Sequence, residues 1–310
     1  MTESLILSHP QCLAHEPGHG HPESPARLQA LLEKLKHIEE APRASDDQIL
    51  LAHDAALLAF IRNAAPETGL AQIDADTVMS PASLDAALCG SGAACLGIDR
   101  LMQKQCRHVF CATRPPGHHA TRSQSMGFCL FNHIAIAAIY ARQRYGLQRI
   151  AIVDFDVHHG NGTQDIVTGT PGLFYLSTHQ SPCYPGTGHI SENSPGNILN
   201  VPLQAGTDHQ SYLKIFAEQI VPALNTFKPE LLLVSAGFDA HRSDPLASLA
   251  LNEITYHWLG EQLGNIARQH CHSRMLSTLE GGYNTRALAD SVQAYLEGLE
   301  KTIKQTAIFL

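Results

Sequence analysis

The chain has 310 residues, is 44% hydrophobic and 16% charged, and carries a formal net charge of −8. That length can bury one large core, and the acidic balance argues against non-specific nucleic-acid binding as its task. No apolar stretch reaches the ~18 residues of a membrane span, no two of the eight cysteines form a Cys-x-x-Cys pair, and 19 histidines against one tryptophan favour metal or acid–base chemistry.

The N-terminus carries no signal-peptide pattern, and scattered thiols in a chain this long read as reduced and mostly buried. Both predict a cytoplasmic protein. With no low-complexity linker or composition break, residues 1–310 read as a single domain.

In chain order, Leu5-Ile6-Leu7 is a strand candidate. A loop rich in His, Pro and Gly follows, from His9 to Pro22. Ser24-Pro25 reads as an N-cap and first helical residue, opening a helix to about Glu40 with Leu28, Leu31, Leu32 and Leu35 on its apolar face. Helical patterns cover about 54–65 and 83–104, and Asp74-Ala75-Asp76-Thr77 between them reads as a polar loop, a solvated turn in preference to a substrate contact. His108–Ala112 is the next strand, ending in Arg114-Pro115-Pro116-Gly117-His118-His119. Two prolines and a glycine stiffen that loop, so the histidine pair on it reads as functional. Gly127-Phe128-Cys129 precedes a helix from about Asn132 to Arg144.

Arg149–Ile152 begins a strand that runs into Val153-Asp154-Phe155-Asp156-Val157-His158-His159-Gly160-Asn161-Gly162. Alternation along an extended chain puts Asp154, Asp156 and His158 on one side and Val153, Phe155 and Val157 on the other. Further strands are expected at 172–177, 198–201, 230–236 and 275–279, with helices at about 209–226 and 252–270 and a last one ending near Glu300. Strands alternating with long helices predict an α/β fold with a mainly parallel sheet covered on both faces. His118-His119, the Asp154/Asp156/His158 run, Asp244 and Tyr283 each follow a different strand at its carboxyl end, so four segments can meet at one sheet edge.

Asp156, His158 and Asp244 make a plausible metal set; one imidazole and two carboxylates suit Zn2+, and Fe2+, Co2+ or Mn2+ also fit. His118 and His119 are proton-transfer candidates, Asp154 can orient one of them, and Tyr283 beside Gly281-Gly282 can donate to a developing oxyanion. Metal, base and oxyanion donor together describe metal-assisted amide hydrolysis.

These segments make the chain resemble the histone deacetylase family, of the bacterial kind near class II deacetylases and acetylpolyamine amidohydrolases. The matching stretches are His21–Leu28, Arg114–His119, Asp154–Gly162, Asp239–Leu246 and Glu280–Tyr283, in family order over nearly the whole chain. The resemblance implies an arginase/deacetylase-like three-layer fold, with one Zn2+ on Asp156, His158 and Asp244. It implies His119 as general base, His118 paired with Asp154, Asn161 as the neutral partner of His119, and Tyr283 polarising the scissile carbonyl. It further implies a structural K+ near Asp154, Ser177 and Thr178. Phe128, Gly127, Tyr184, Leu246 and Gly282 match substrate-binding positions. Tyr184 stands where Phe is common, and Leu246 where polyamine-selective relatives carry Glu. The implied substrate is the acetylated lysine of a peptide or protein; a small acylated amine is the alternative. An arginase-like pair of metals needs a carboxylate two residues past the ligand histidine, and that position is Gly160. A metal-binding sensor without turnover is disfavoured by the intact Tyr283 and histidine pair. No nucleic-acid or membrane partner is implied, and the oligomeric state is left open.

Overall fold

The computed structural model describes residues 2–306. Ten strands are present among them: β1 (Thr2–Ser8), β2 (Ile38–Glu40), β3 (Ala71–Gln72), β4 (Val78–Met79), β5 (Cys106–Cys111), β6 (Ile150–Asp154), β7 (Leu173–Gln180), β8 (Ile198–Leu203), β9 (Leu231–Ala236) and β10 (Met275–Leu279). Eight of them form one sheet in the order β2-β1-β5-β10-β9-β6-β7-β8, while β3 and β4 form a separate small hairpin. Every pairing in the large sheet is parallel. Parallel strands need long crossovers, so helices pack on both faces.

Alternation along each strand feeds the two sides. On β6, Ala151 and Val153 join one apolar cluster, and Ile150 and Ile152 join another. On β9, Leu232 and Val234 take the first side, Leu231 and Leu233 the second. The long helices Glu253–His270 and Thr285–Thr306 cover the first face, and Ser83–Met102 and His133–Tyr145 the second. The result is the expected three-layer α/β arrangement.

Several boundaries depart from the periodicity. The helix opening at Pro25 ends at Leu32; the chain turns through His37 at φ 55°, and Ile38–Glu40 becomes an edge strand beside β1. Two short helices, Pro10–Ala14 and Asp46–Ile49, also occur where the sequence shows no helical repeat. The helix expected at 209–226 is interrupted by a π-helical turn at Phe216–Ile220. Pro222 lies just beyond, and its missing N–H cannot close the usual ladder bond there. Residues Asn161–Val167 form a short helix directly after the Asp/His run.

All eight cysteines are free and seven are buried. Among the described residues, no helix is long and apolar enough to cross a membrane.

Candidate active site and metal centre

The site is built at the carboxyl edge of the sheet. The alternation of β6 continues past its last residue: Phe155 and Val157 stay in the apolar cluster with Val153, and Asp154, Asp156 and His158 turn the other way. Three segments then meet. His158 Nδ1 lies 3.2 Å from Asp156 Oδ1 and 3.1 Å from Asp239 Oδ2. Asp156, His158 and Asp239 are all buried, and their potential ligand atoms lie within 4.8 Å of one another. Donors about 2.0–2.1 Å from a zinc ion stand about 3.3 Å apart in a tetrahedral set, which these separations approach.

Asp244, expected from the sequence as the third ligand, does not belong to this group. Its Oδ2 accepts from the Tyr283 amide at 2.6 Å and its Oδ1 from the Leu246 amide at 3.0 Å. Asp244 therefore ties the Tyr283 turn to the 239–246 loop, and Asp239 takes the place beside His158. The reason is register. Asp239 lies three residues beyond the end of β9, the strand hydrogen-bonded to β6, and its Oδ1 accepts from the Val157 amide at 2.9 Å. Both Asp239 and Asp244 sit in the same short stretch, and sequence spacing does not separate them.

Asp156, His158 and Asp239 fit a divalent cation on chemical grounds. The imidazole Nδ1 can carry one proton, yet two buried carboxylates converge on it. Burial, then the charge of Asp156, pushes the Asp239 carboxyl up to about 7. Such uncompensated negative charge is costly unless a cation or proton joins it. Glycine makes the approach possible: a Cβ on Gly281 would stand 2.0 Å from Asp239 Oδ2. The Gly281 amide instead donates to Asp156 Oδ2 at 2.8 Å.

The two histidines after β5 are pushed in opposite directions. His118 Nδ1 donates to Asp154 Oδ2 at 3.0 Å. Burial opposes its charge, but Asp154 and then Asp156 outweigh this and raise it to about 10. His119 is held well below its ordinary value by burial, then by the neighbouring His118 and His158. Its Nδ1 meets Asn161 Oδ1 at 2.8 Å, and an amide oxygen only accepts, so Nδ1 carries the proton and Nε2 is the free base. A charged imidazole beside a neutral one is an arrangement that can divide acid from base.

Glu280 anchors the loop that carries them. Its Oε2 accepts from the Gly117 amide at 2.7 Å and the His118 amide at 3.1 Å. Its Oε1 accepts from Ser235 and Thr278. Behind Tyr283, Arg27 donates to the carbonyls of Gly282 and Glu280 and lies 4.8 Å from the Tyr283 ring centroid. The buried Glu23 carboxylate holds Arg27 and Arg114 together. Burial keeps the Tyr283 phenol well above its ordinary value, so it is a donor at neutral pH.

His119, His158 and Tyr283 line a cavity of about 240 Å3. Phe128, Gly127, Tyr184 and Leu246, all expected at the substrate, line it too. Tyr184 stands edge-on to His119 at 5.1 Å, and Phe128 edge-on to Tyr283 at 5.9 Å. A Cβ on Gly127, at φ +59°, would meet His119 Cδ2 at 2.5 Å, which explains glycine there. Gly282 does not line the cavity; its carbonyl is the acceptor for Arg27.

Asp76, for which the sequence favours a solvated turn over a substrate contact, lines the cavity, and its Oδ1 accepts from the Gly127 amide at 3.0 Å. No local signal separates it from an ordinary Asp-rich turn. Of the positions expected near potassium, Asp154 is occupied with His118 and Tyr175, Ser177 with His179, and Thr178 with Tyr212.

With this geometry in place, the comparisons with known proteins converge. The histone deacetylase domain model matches residues 21–299. The chain belongs to the histone deacetylase family. Histone deacetylase 14, chloroplastic, of Arabidopsis thaliana is 39% identical over 316 residues, covering 93% of this chain and 74% of that protein. The histone deacetylase-like amidohydrolase of Pseudomonas aeruginosa is 35% identical over 278 residues, covering 86% and 73%. An uncharacterized protein of Synechocystis is 42% identical over 306 residues, covering 95% and 98%. The solved HDA15 HD domain matches with TM-score 0.90 and 30% identity, over 97% of this chain and 90% of that one. As a member of this family the chain is a hydrolase of the deacetylase and amidohydrolase type.

Proposed function

We propose that this chain, acting as one catalytic domain, is a zinc-dependent deacetylase that removes acetyl or short acyl groups from the ε-amine of lysine in peptides or proteins. The observation that carries the reading is the buried Asp156/His158/Asp239 group, whose His158 lines the same cavity as His119 and Tyr283. A Zn2+ held by those three residues supplies a Lewis acid for the amide carbonyl and makes water a better nucleophile at neutral pH. His119 Nε2 takes the proton from the attacking water and returns it to the departing amine as the C–N bond breaks. His118, charged and fixed by Asp154, keeps His119 from protonating prematurely. Asn161 holds the His119 ring in the required tautomer. The Tyr283 phenol donates to the carbonyl oxygen as negative charge develops there.

Phe128 and Tyr184 can flank an extended aliphatic stem. Leu246 is 38% exposed at the cavity and offers an apolar surface, which favours acyl-lysine over a polycation. The acetylpolyamine reading is supported by the Asp76 carboxylate in the same lining, which can attract an amine. A structural K+ beside Asp154, Ser177 and Thr178 remains part of this proposal, on the family resemblance. The eight free thiols fit a reducing compartment such as the cytoplasm.

Chelation with dipicolinate should abolish hydrolysis of an acetyl-lysine reporter, and Zn2+ should restore it; activity that survives complete metal removal would end the metal assignment. Acetyl-lysine peptides should also exceed acetylspermidine in kcat/KM. The reverse order would establish the polyamine reading instead.

A further inference from the structure

A second cavity, of about 430 Å3, lies at the opposite edge of the sheet. Its lining includes Lys104 from the turn into β5, Cys106 and Arg107 at the start of β5 itself, His272 and Arg274 from the turn into β10, and Met102. None of the described residues lining it is acidic. Three permanent cations around one concavity are notable in a chain with a net charge of −8.

The helix end nearby accounts for only part of this charge. Arg274 Nε donates to the Cys271 carbonyl at 3.0 Å, just past the helix Glu253–His270, and its Nη2 donates to the Glu230 carbonyl at 2.9 Å. A third bond goes from Nη1 to Met102 Sδ. A guanidinium has five N–H donors, so two are not used by these contacts. Backbone geometry marks both turns, and in one of them it carries the cation Lys104. Lys104, His272 and Ser273 all have positive φ, at 60°, 52° and 63°. They are three of the six described non-glycine residues in that region, and they fall in the two turns that wall this cavity. The left-handed region costs a residue with a side chain about 1–2 kcal/mol, so side chains rather than glycine at these turns call for a reason.

We propose that this cavity is a binding site for a small phosphate-bearing anion. A phosphate ester offers three acceptor oxygens and up to two negative charges, and can meet cations arriving from two separate turns. A single carboxylate has two oxygens and one charge. The volume is in the range of small-ligand sites, about 300–1,000 Å3, and exceeds one inorganic phosphate. The site is distinct from the catalytic cavity, because the lengths of β5 and β10 lie between them.

The test is calorimetric titration of the metal-loaded full chain at low ionic strength with adenosine monophosphate, inorganic phosphate and acetate. Saturable one-site binding of the nucleotide, weakened at least tenfold by Lys104→Ala/Arg107→Ala, is expected. Tighter binding of the nucleotide than of phosphate would identify an organic phosphate as the ligand class; equal binding would identify the free ion. Lys104→Gly serves as the second variant, since glycine suits φ +60° and keeps the turn while removing the charge. It should weaken binding severalfold, with turnover on the acetyl-lysine reporter unchanged. No saturable binding, acetate binding as tightly as phosphate, or phosphate binding unaltered in both variants would overturn the proposal.

Discussion

Asp239 and Asp244 stand five residues apart and do different work. Asp239 faces His158; Asp244 accepts the Tyr283 and Leu246 amides. Asp239→Ala should therefore empty the metal site, read as loss of bound zinc by elemental analysis. Asp244→Asn should keep the zinc and lower turnover, because it loosens the turn that aims Tyr283. Equal zinc loss in both variants would refute the assignment. Tyr283→Phe removes a single donor from the cavity. Its zinc content should stay normal while kcat falls roughly 100–1000-fold, the usual cost of an oxyanion donor; an unchanged kcat would take Tyr283 out of the mechanism. The histidine pair, Asp154 and Tyr283 were legible as candidates in the sequence because each follows a strand or a stiff loop, and Asn161 enters only through the family resemblance. The choice between two aspartates on one loop was not, because loop geometry turns side chains without a fixed period.

The carboxyl edge of the sheet works as a unit because β5, β10, β9 and β6 are neighbours. Loops that are far apart in sequence leave adjacent strands, so Gly117 and His118 can hang from Glu280, which lies one residue past β10. Glu280→Ala would leave both amides without their acceptor in a buried loop. Unsatisfied buried donors cost about 1–3 kcal/mol each, so urea denaturation should show a loss of roughly 2–6 kcal/mol. A loss below 1 kcal/mol would mean that the loop is held by other contacts. Hydrophobic periodicity located most elements, since the sheet is buried on both faces. It overextended the helix beginning at Pro25, where Leu35 continues an apolar pattern while the backbone has already turned toward β2. It also hid the π-helical turn before Pro222, because side-chain pattern does not register a missing amide.

At the scale of the whole molecule, the many histidines divide into those at the site and those that are structural. Burial lowers His108 to about 3 and His53 and His133 to about 4. Each is neutral and hydrogen-bonded in the folded chain: His108 with Ser277, His53 with Thr121, His133 with Pro115. The unfolded chain binds protons at these groups from about pH 6.5, and the folded chain does so only near pH 3–4. Stability from these groups is thus complete above pH 6.5 and declines as pH falls from there toward 4. The slope is about 1.4 kcal/mol per pH unit for each histidine. His108→Gln should flatten it: the stability difference from the parent chain, measured by urea denaturation, should shrink between pH 6.5 and 4.5. A difference that stays constant over that range would show that His108 does not titrate on unfolding.

The order of motifs, the parallel sheet and the candidacy of the histidine pair, Asp154 and Tyr283 follow from local pattern, while the choice of His119 as base and Asn161 as its partner comes from the family resemblance. Strand alternation and stiff Pro-Gly loops constrain a side chain over a few residues, and the sequence displays that range directly. The tertiary structure decided which aspartate meets His158, that Asp76 reaches the cavity, and that Glu280 and Arg27 brace the catalytic loops. Those facts depend on how loops from non-consecutive strands settle against one another, a distance of a few ångströms set by packing and shared hydrogen bonds. It also gathered the cations of two remote turns into one basin, since β5 and β10 are neighbours in space and about 170 residues apart along the chain.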